Sequence, residues 1–205
     1  MKTIRHDENL SGAINNVLWS YNQGQYRYIN DFVRLNKSGA DMLLSGIFPN
    51  AKEITESYGA LNAALRKLKL DPGNPDINVV FVGDGHTPRT ATLFAFRTKW
   101  NCISLDPELR QDKIPLWESS IQHLKCIPKK VEEVDLNFEN NVLIVAVHSH
   151  ANMMAILDHI KSPVRSMIAI ECCISYNHPN IEPKPVYRDS GIWAPKNLVK
   201  VWKAI

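Results

Sequence analysis

Asp76-Ile77-Asn78-Val79-Val80-Phe81-Val82-Gly83-Asp84-Gly85-His86-Thr87-Pro88-Arg89 opens the part of the chain whose pattern decides the fold. The run from Val79 to Val82 has no polar residue, so it reads as a strand covered on both faces. Two glycines follow, which permit a tight turn and let backbone pass close to a ligand. Pro88 suits the first turn of a helix, where its missing N–H would have had no partner. The pattern predicts a helix over 88–98 with Thr87 as its N-cap. Arg89 in that first turn opposes the helix dipole and asks for an anionic or backbone partner.

Downstream, short apolar runs alternate with helical segments. Strands are predicted over 77–82, 101–105, 131–136, 142–147, 167–174 and 198–202, and helices over 116–124 and 151–160. Such a βαβ series builds an α/β, Rossmann-like, mostly parallel sheet flanked by helices, with right-handed crossovers. Ligands in these sheets bind outside the carboxyl ends of the strands, where strand order reverses.

Upstream, Leu18, Trp19, Tyr21, Tyr26, Tyr28, Ile29, Phe32, Val33 and Leu35 lie among polar residues without strand alternation. Between residues 50 and 70, Ile54, Tyr58, Leu61, Ala64, Leu65 and Leu68 recur at helical spacing. Asp71-Pro72-Gly73-Asn74-Pro75 then stops that helix. We therefore expect an N-terminal helical extension (1–75) packed on a cofactor-binding core (76–205).

A chain of 205 residues with 44% hydrophobic and 22% charged residues can bury a core of its own. Its longest apolar runs fall far short of the roughly 20 residues a membrane span needs, so no membrane association is expected. The charged start, Met1 to Glu8, leads into no apolar signal core, which predicts a cytoplasmic protein with the nucleus also open. Four cysteines, two of them adjacent, do not make a secreted disulfide framework and are read as reduced thiols. A net charge of +3 without a basic block permits nucleic-acid binding without arguing for it.

Asp106 ends the second predicted strand, 21 positions after Gly85. An acid at about that distance from a glycine turn can accept hydrogen bonds from ribose hydroxyls. The strand, the Gly83-Asp84-Gly85 turn and Asp106 together resemble the first two motifs of class I S-adenosylmethionine-dependent methyltransferases, over roughly half the chain. That resemblance implies a seven-stranded sheet, of which the sequence accounts for six strands. It implies S-adenosylmethionine as the small-molecule cofactor, with Gly83, Asp84 and Gly85 along it, Asp106 on the ribose and Asp135 near the adenine. Two departures stand out. Phe81 occupies the position two before the first glycine, where the family carries an acid, and Pro88 occupies the third glycine position. A dinucleotide would need the full G-x-G-x-x-G, so NAD fits less well.

His148-Ser149-His150 follows the fourth predicted strand, and Cys172-Cys173 with His178 falls at and beyond the fifth. The initial His148 and the cysteine pair resemble a methyltransferase-like subgroup that includes transfer-RNA methyltransferases. Three roles stay open. His148 or His150 can serve as the catalytic general base, since imidazole titrates near neutrality. Histidines and thiolates can bind zinc, although this spacing matches no standard finger, and no residue is assigned to a metal. Or the cysteines are small core residues and the histidines strand-end hydrogen-bonders. Glu171, an acid inside an apolar run, needs a partner or a function. Trp100, Trp117, Trp193 and Trp202 are read mainly as packing residues, and the stretch Arg188, Asp189, Trp193, Lys196, Asn197 as a candidate substrate loop. The implied function is a methyltransferase-like protein with RNA, another nucleic acid or a protein as acceptor. The alternative is a catalytically inactive binding or assembly protein on the same fold.

Overall fold

The computed structural model describes residues 24–35 and 37–205. Leu18, Trp19, Tyr21 and the charged start at Met1 to Glu8 lie outside the described residues. Three helices come first: α1 (Arg27–Val33), α2 (Lys37–Leu44) and α3 (Ala51–Arg66). Asn50 caps α3 by accepting the N–H of Glu53 at 3.1 Å. The chain then runs β1 (Asn78–Val82), α4 (Arg89–Arg97), β2 (Asn101–Leu105), α5 (Ile114–Ser120), β3 (Leu124–Ile127), β4 (Leu136–Asn137) and β5 (Val142–Val147). It ends with α6 (Met153–His159), β6 (Ile160–Lys161), β7 (Arg165–Ile170), β8 (Val186–Arg188) and β9 (Leu198–Trp202).

Seven strands form one sheet in the order β3-β2-β1-β5-β7-β9-β8. The pairs from β3 through β7 are parallel, and β9 runs antiparallel to both neighbours. The order reverses between β1 and β5, which is the crevice position for a ligand in an open α/β sheet.

Alternation along the strands splits the core into two layers. Val79, Phe81, Leu143, Val145, Ile168 and Ile170 face a layer completed by Tyr58, Leu61, Leu93 and Phe94 from α3 and α4. Val80, Val82, Ile144, Ala146, Met167 and Ala169 face the other layer, closed by Met153, Ile156 and Leu157 from α6 and by Trp202. Every residue of β5 is buried, as expected of a central strand covered on both sides. Helix α3 packs on α4, β5, β7 and β9. Gly59 is the point of contact with the turn before β9, because a Cβ there would lie 2.5 Å from Ile192 Cδ1.

The third strand lies elsewhere than the sequence pattern predicts. Leu124–Ile127 pairs with β2, while Val131–Glu133 forms a single 3₁₀ turn and Leu136–Asn137 pairs as strand in a separate two-stranded ladder. Val131 and Val134 are three apart, the period of a 3₁₀ turn, and they pack on the same layer. β7 also stops at Ile170, so Cys172 and Cys173 lie in the bend after it. Among the described residues no helix is long and apolar enough to cross a membrane.

Candidate functional site

The turn after β1 is built from inside out. Asp84 is buried, and its carboxylate accepts the N–H groups of Thr90 (3.0 Å) and Ala91 (3.1 Å) and the hydroxyl of Ser104 (3.0 Å). It thus caps α4 from across the loop, while Thr87, the expected cap, donates its hydroxyl to Ile47 O at 2.7 Å. Burial pushes the Asp84 carboxyl up, against the lowering effect of Arg89 and of the hydrogen bonds from Ala91 and Thr90. Gly83 and Gly85 have φ of 82° and 83°, a region that favours glycine. A Cβ on Gly83 would lie 2.3 Å from Ser149 Oγ, so the turns after β1 and β5 meet there backbone to side chain.

Asp106, 7% exposed, bridges two loops. Its Oδ2 accepts the N–H of Gly85 and its Oδ1 the N–H of Glu108, both at 2.7 Å. Each oxygen keeps a second lone pair for a ligand. Gly83, Gly85, Arg89, Asp106, His148 and His150 all line one pocket of about 500 Å³, which Lys129, Lys130 and Glu132 complete beyond β3. Asp84 stands behind this wall, under the turn. Asp135 stands outside it, since β3 ends eight residues earlier than Asp135; it is exposed and pairs with His159 Nδ1 at 3.1 Å.

The other wall follows β5. His148 leaves the strand with φ 51°, a left-handed conformation uncommon outside glycine. Its Nε2 lies 3.3 Å from Oε1 of Glu56 on α3, close but without the alignment of a hydrogen bond. The same Glu56 oxygen accepts from Lys52 Nζ at 2.7 Å. Burial pushes the Glu56 carboxyl up, but His148 and Lys52 outweigh it and hold the group below the usual range. Arg89 finds the anionic partner its position demanded: Nη1 lies 3.4 Å from Glu53 Oε2, again from α3.

His150 is exposed, with Nε2 at 3.2 Å from Cys173 Sγ, and Cys172 Sγ lies 3.6 Å from Cys173 Sγ. Both cysteines are unbonded. Burial pushes the Cys172 thiol up, but the N–H groups of Ile174 and Cys173 and the side chains of Cys173 and His150 favour the thiolate more, lowering it to about 6. Glu171 has partners rather than a vacancy: it accepts from Lys200 Nζ (2.7 Å) and from the N–H of Tyr176 (2.6 Å). His178 accepts the N–H of Asn180 at 3.1 Å and stays out of the cluster.

Trp100, Trp117 and Trp202 are buried in the core, and Trp193 packs edge-on against Tyr26. Asp189 is buried beneath Arg27 and Tyr28, so this part of the expected substrate loop ties α1 to the sheet edge. The residues that sequence pattern missed are Glu56, Glu53 and Lys52. One signal was present: Glu56 continues the buried stripe of Ala60 and Ala63 at i, i+4 and i+7.

No protein-family model matches the chain, and no curated protein matches it in sequence. Among solved structures it is similar to a Glu-to-Gln mutant of MtNAS, a nicotianamine synthase, in complex with S-adenosylmethionine: TM-score 0.55, 15% identity, 88% of this chain and 72% of that one. It is also similar to MtNAS in complex with MTA and tNA, with a TM-score of 0.53, 15% identity, and 88% and 70% of the two chains. An S-adenosylmethionine-dependent methyltransferase from Aquifex aeolicus is more distant, with a TM-score of 0.45, 10% identity, and 75% and 97% of the chains covered. At these identities the likeness is one of fold, and the chain has the Rossmann-like fold of class I S-adenosylmethionine-dependent methyltransferases.

Proposed function

We propose that this protein binds S-adenosylmethionine across the carboxyl ends of β1, β2 and β5 and acts as a methyltransferase-like enzyme. The observation that carries the reading is the tie between the glycine turn and Asp106 at the strand-order reversal. The pocket there, about 500 Å³, falls within the range of small-molecule sites. MtNAS, which shares the fold, holds S-adenosylmethionine in its own structure.

The residues fit such a cofactor. Gly83 and Gly85 keep the wall free of side chains, and the spare lone pairs of Asp106 suit ribose hydroxyls. The cofactor supplies an electrophilic carbon on a sulfonium. Toward it the chain contributes positioning and a base: His148 takes the acceptor proton, and Glu56, ionised beside it, steadies the ring and the imidazolium that results. His150 also lines the pocket but is exposed and engaged with Cys173, so His148 is the better-placed base. The rim sets Lys129 and Lys130 against Glu108 and Glu132, a balance that selects neither a nucleic acid such as RNA nor a protein as acceptor.

One observation favours the non-catalytic alternative. Both oxygens of Asp106 already accept backbone N–H groups, so the acid has a structural task even in a protein that binds nothing. Calorimetry with S-adenosylmethionine, S-adenosylhomocysteine and NAD separates the two. Saturable binding of the first two and none of NAD is expected, and silence from all three sinks the cofactor reading. With binding established, a screen of RNA and protein acceptors should release S-adenosylhomocysteine if the methyl leaves, or methylthioadenosine if the longer chain leaves. Binding without either product supports the assembly role.

A further inference from the structure

His150, Cys172 and Cys173 bring one imidazole and two thiols into a cluster that the proposed transfer does not use. The sulfurs are 3.6 Å apart, Cys173 Sγ is 3.2 Å from His150 Nε2, and one donor atom from each residue lies within 4.8 Å of the others. Around a tetrahedral zinc, with Zn–S about 2.3 Å and Zn–N about 2.0 Å, two sulfurs sit about 3.8 Å apart and a sulfur and a nitrogen about 3.5 Å apart. The two closest separations already match these within a few tenths of an ångström, and the third lies within 4.8 Å.

The segments that carry the donors are fixed independently of any ion. His148 donates its N–H to Ile170 O at 2.8 Å, and Tyr176 donates its hydroxyl to Ser149 O at 3.1 Å, so the turn after β5 is tied to the end of β7 and the bend beyond it. Glu171, held by Lys200 and by the N–H of Tyr176, anchors the base of the bend. Because β7 ends at Ile170, the adjacent cysteines escape the strand alternation that would have sent their side chains to opposite faces.

We propose that His150, Cys172 and Cys173 form a three-ligand site for a zinc-type soft cation at the rim of the pocket. Two thiolates and an imidazole suit Zn²⁺ and reject the oxygen-seeking Mg²⁺ and Ca²⁺. Three protein ligands leave a tetrahedral ion one position for water or for a donor atom of a substrate. His150, itself a lining residue, brings that ion to the pocket edge. The site does not depend on which cofactor the pocket takes, and it leaves His148 with Glu56 as the base.

The test uses the full chain, purified with reductant and stripped with chelator. Titration with Zn²⁺ against a chromophoric chelator should show one ion bound per chain, and Co²⁺ should give a thiolate-to-metal charge-transfer band with the intense visible absorption of tetrahedral cobalt. Cys173→Ser and His150→Ala should each weaken Zn²⁺ binding about tenfold or more, while His178→Ala leaves it unchanged. Melting curves of the stripped variants check that they fold, and if they do not, the cobalt spectrum of the unaltered protein decides. No uptake by the reduced protein, a cobalt spectrum without the thiolate band, or uptake that survives loss of both cysteines overturns the proposal.

Discussion

The turns after β1 and β2 and the turns after β5 and β7 occupy adjoining halves of one sheet edge, yet they are finished differently. In the first half, the acids are held in place by donors: Asp84 by two N–H groups and a hydroxyl, Asp106 by one N–H group on each oxygen. In the second, His148 sits in left-handed backbone beside a carboxylate it does not meet in line, and His150 and Cys173 face solvent. A half whose side chains are locked suits holding a ligand in one pose. A half with unspent donors and acceptors suits chemistry on it. Substitutions in the two halves should therefore separate stability and affinity from turnover.

The largest effect is expected in the locked half. Asp84→Ala strands three donors inside the core and uncaps α4, so it should lower unfolding free energy by about 3 kcal/mol or more. Urea denaturation measures this. A loss below about 1 kcal/mol would show that water or a neighbour replaces the acid, and that this turn is less rigid than its bonding implies.

Next comes Asp106→Ala, which should weaken binding of S-adenosylhomocysteine about tenfold to a hundredfold through loss of charge-assisted bonds worth roughly 1.5–3 kcal/mol. It should also lower the melting temperature, since the N–H groups of Gly85 and Glu108 lose their acceptor. A lower melting temperature with unchanged affinity would make Asp106 a loop clamp alone.

In the reactive half, Glu56→Gln should cut turnover roughly tenfold while leaving cofactor affinity nearly intact, because Glu56 acts through His148. Its pH signature is distinct. A carboxyl held below its ordinary value contributes stability in full above the unfolded value, about 4.3, and loses it as pH falls through the lower folded value. The stability difference between the unaltered protein and Glu56→Gln should thus shrink as pH falls below about 4. A difference that persists undiminished well below about pH 4 would contradict the lowered carboxyl.

How much of this was legible in the sequence follows the same division. β2, β5 and β9 fall on the predicted residues, and β1 differs by one residue at its start, because short, mainly apolar runs between turn residues leave few alternatives. Gly83, Gly85 and Asp106 line one pocket, and Asp106 accepts the Gly85 N–H. The third strand was misread because Leu124–Ile127 is short and half-exposed, whereas Val131 and Val134 look like strand and pack from a 3₁₀ turn. Glu56 was hidden for another reason. Its partner lies on a different element nearly a hundred residues away, and a Lys52–Glu56 pair at i, i+4 looks like ordinary helix surface.

The smallest effect should come from Asp135, and its smallness carries information. The resemblance placed this acid near the adenine on the premise that a strand ends beside it, but β3 ends at Ile127 and the pocket beyond it is lined by Lys129, Lys130 and Val131. Asp135 instead reaches His159 at the end of α6, with its own side chain 80% exposed. An exposed pair of this kind gains little over solvent, so Asp135→Ala should alter stability by no more than about 0.5 kcal/mol. Cofactor affinity by calorimetry should not change. Lys129→Ala and Lys130→Ala, tested beside it, should produce the larger change if adenine sits beyond β3. A clear loss of affinity in Asp135→Ala alone would mean that the segment after β3 moves toward the ligand on binding, and that the locked half of the site is not as preformed as its hydrogen bonds suggest.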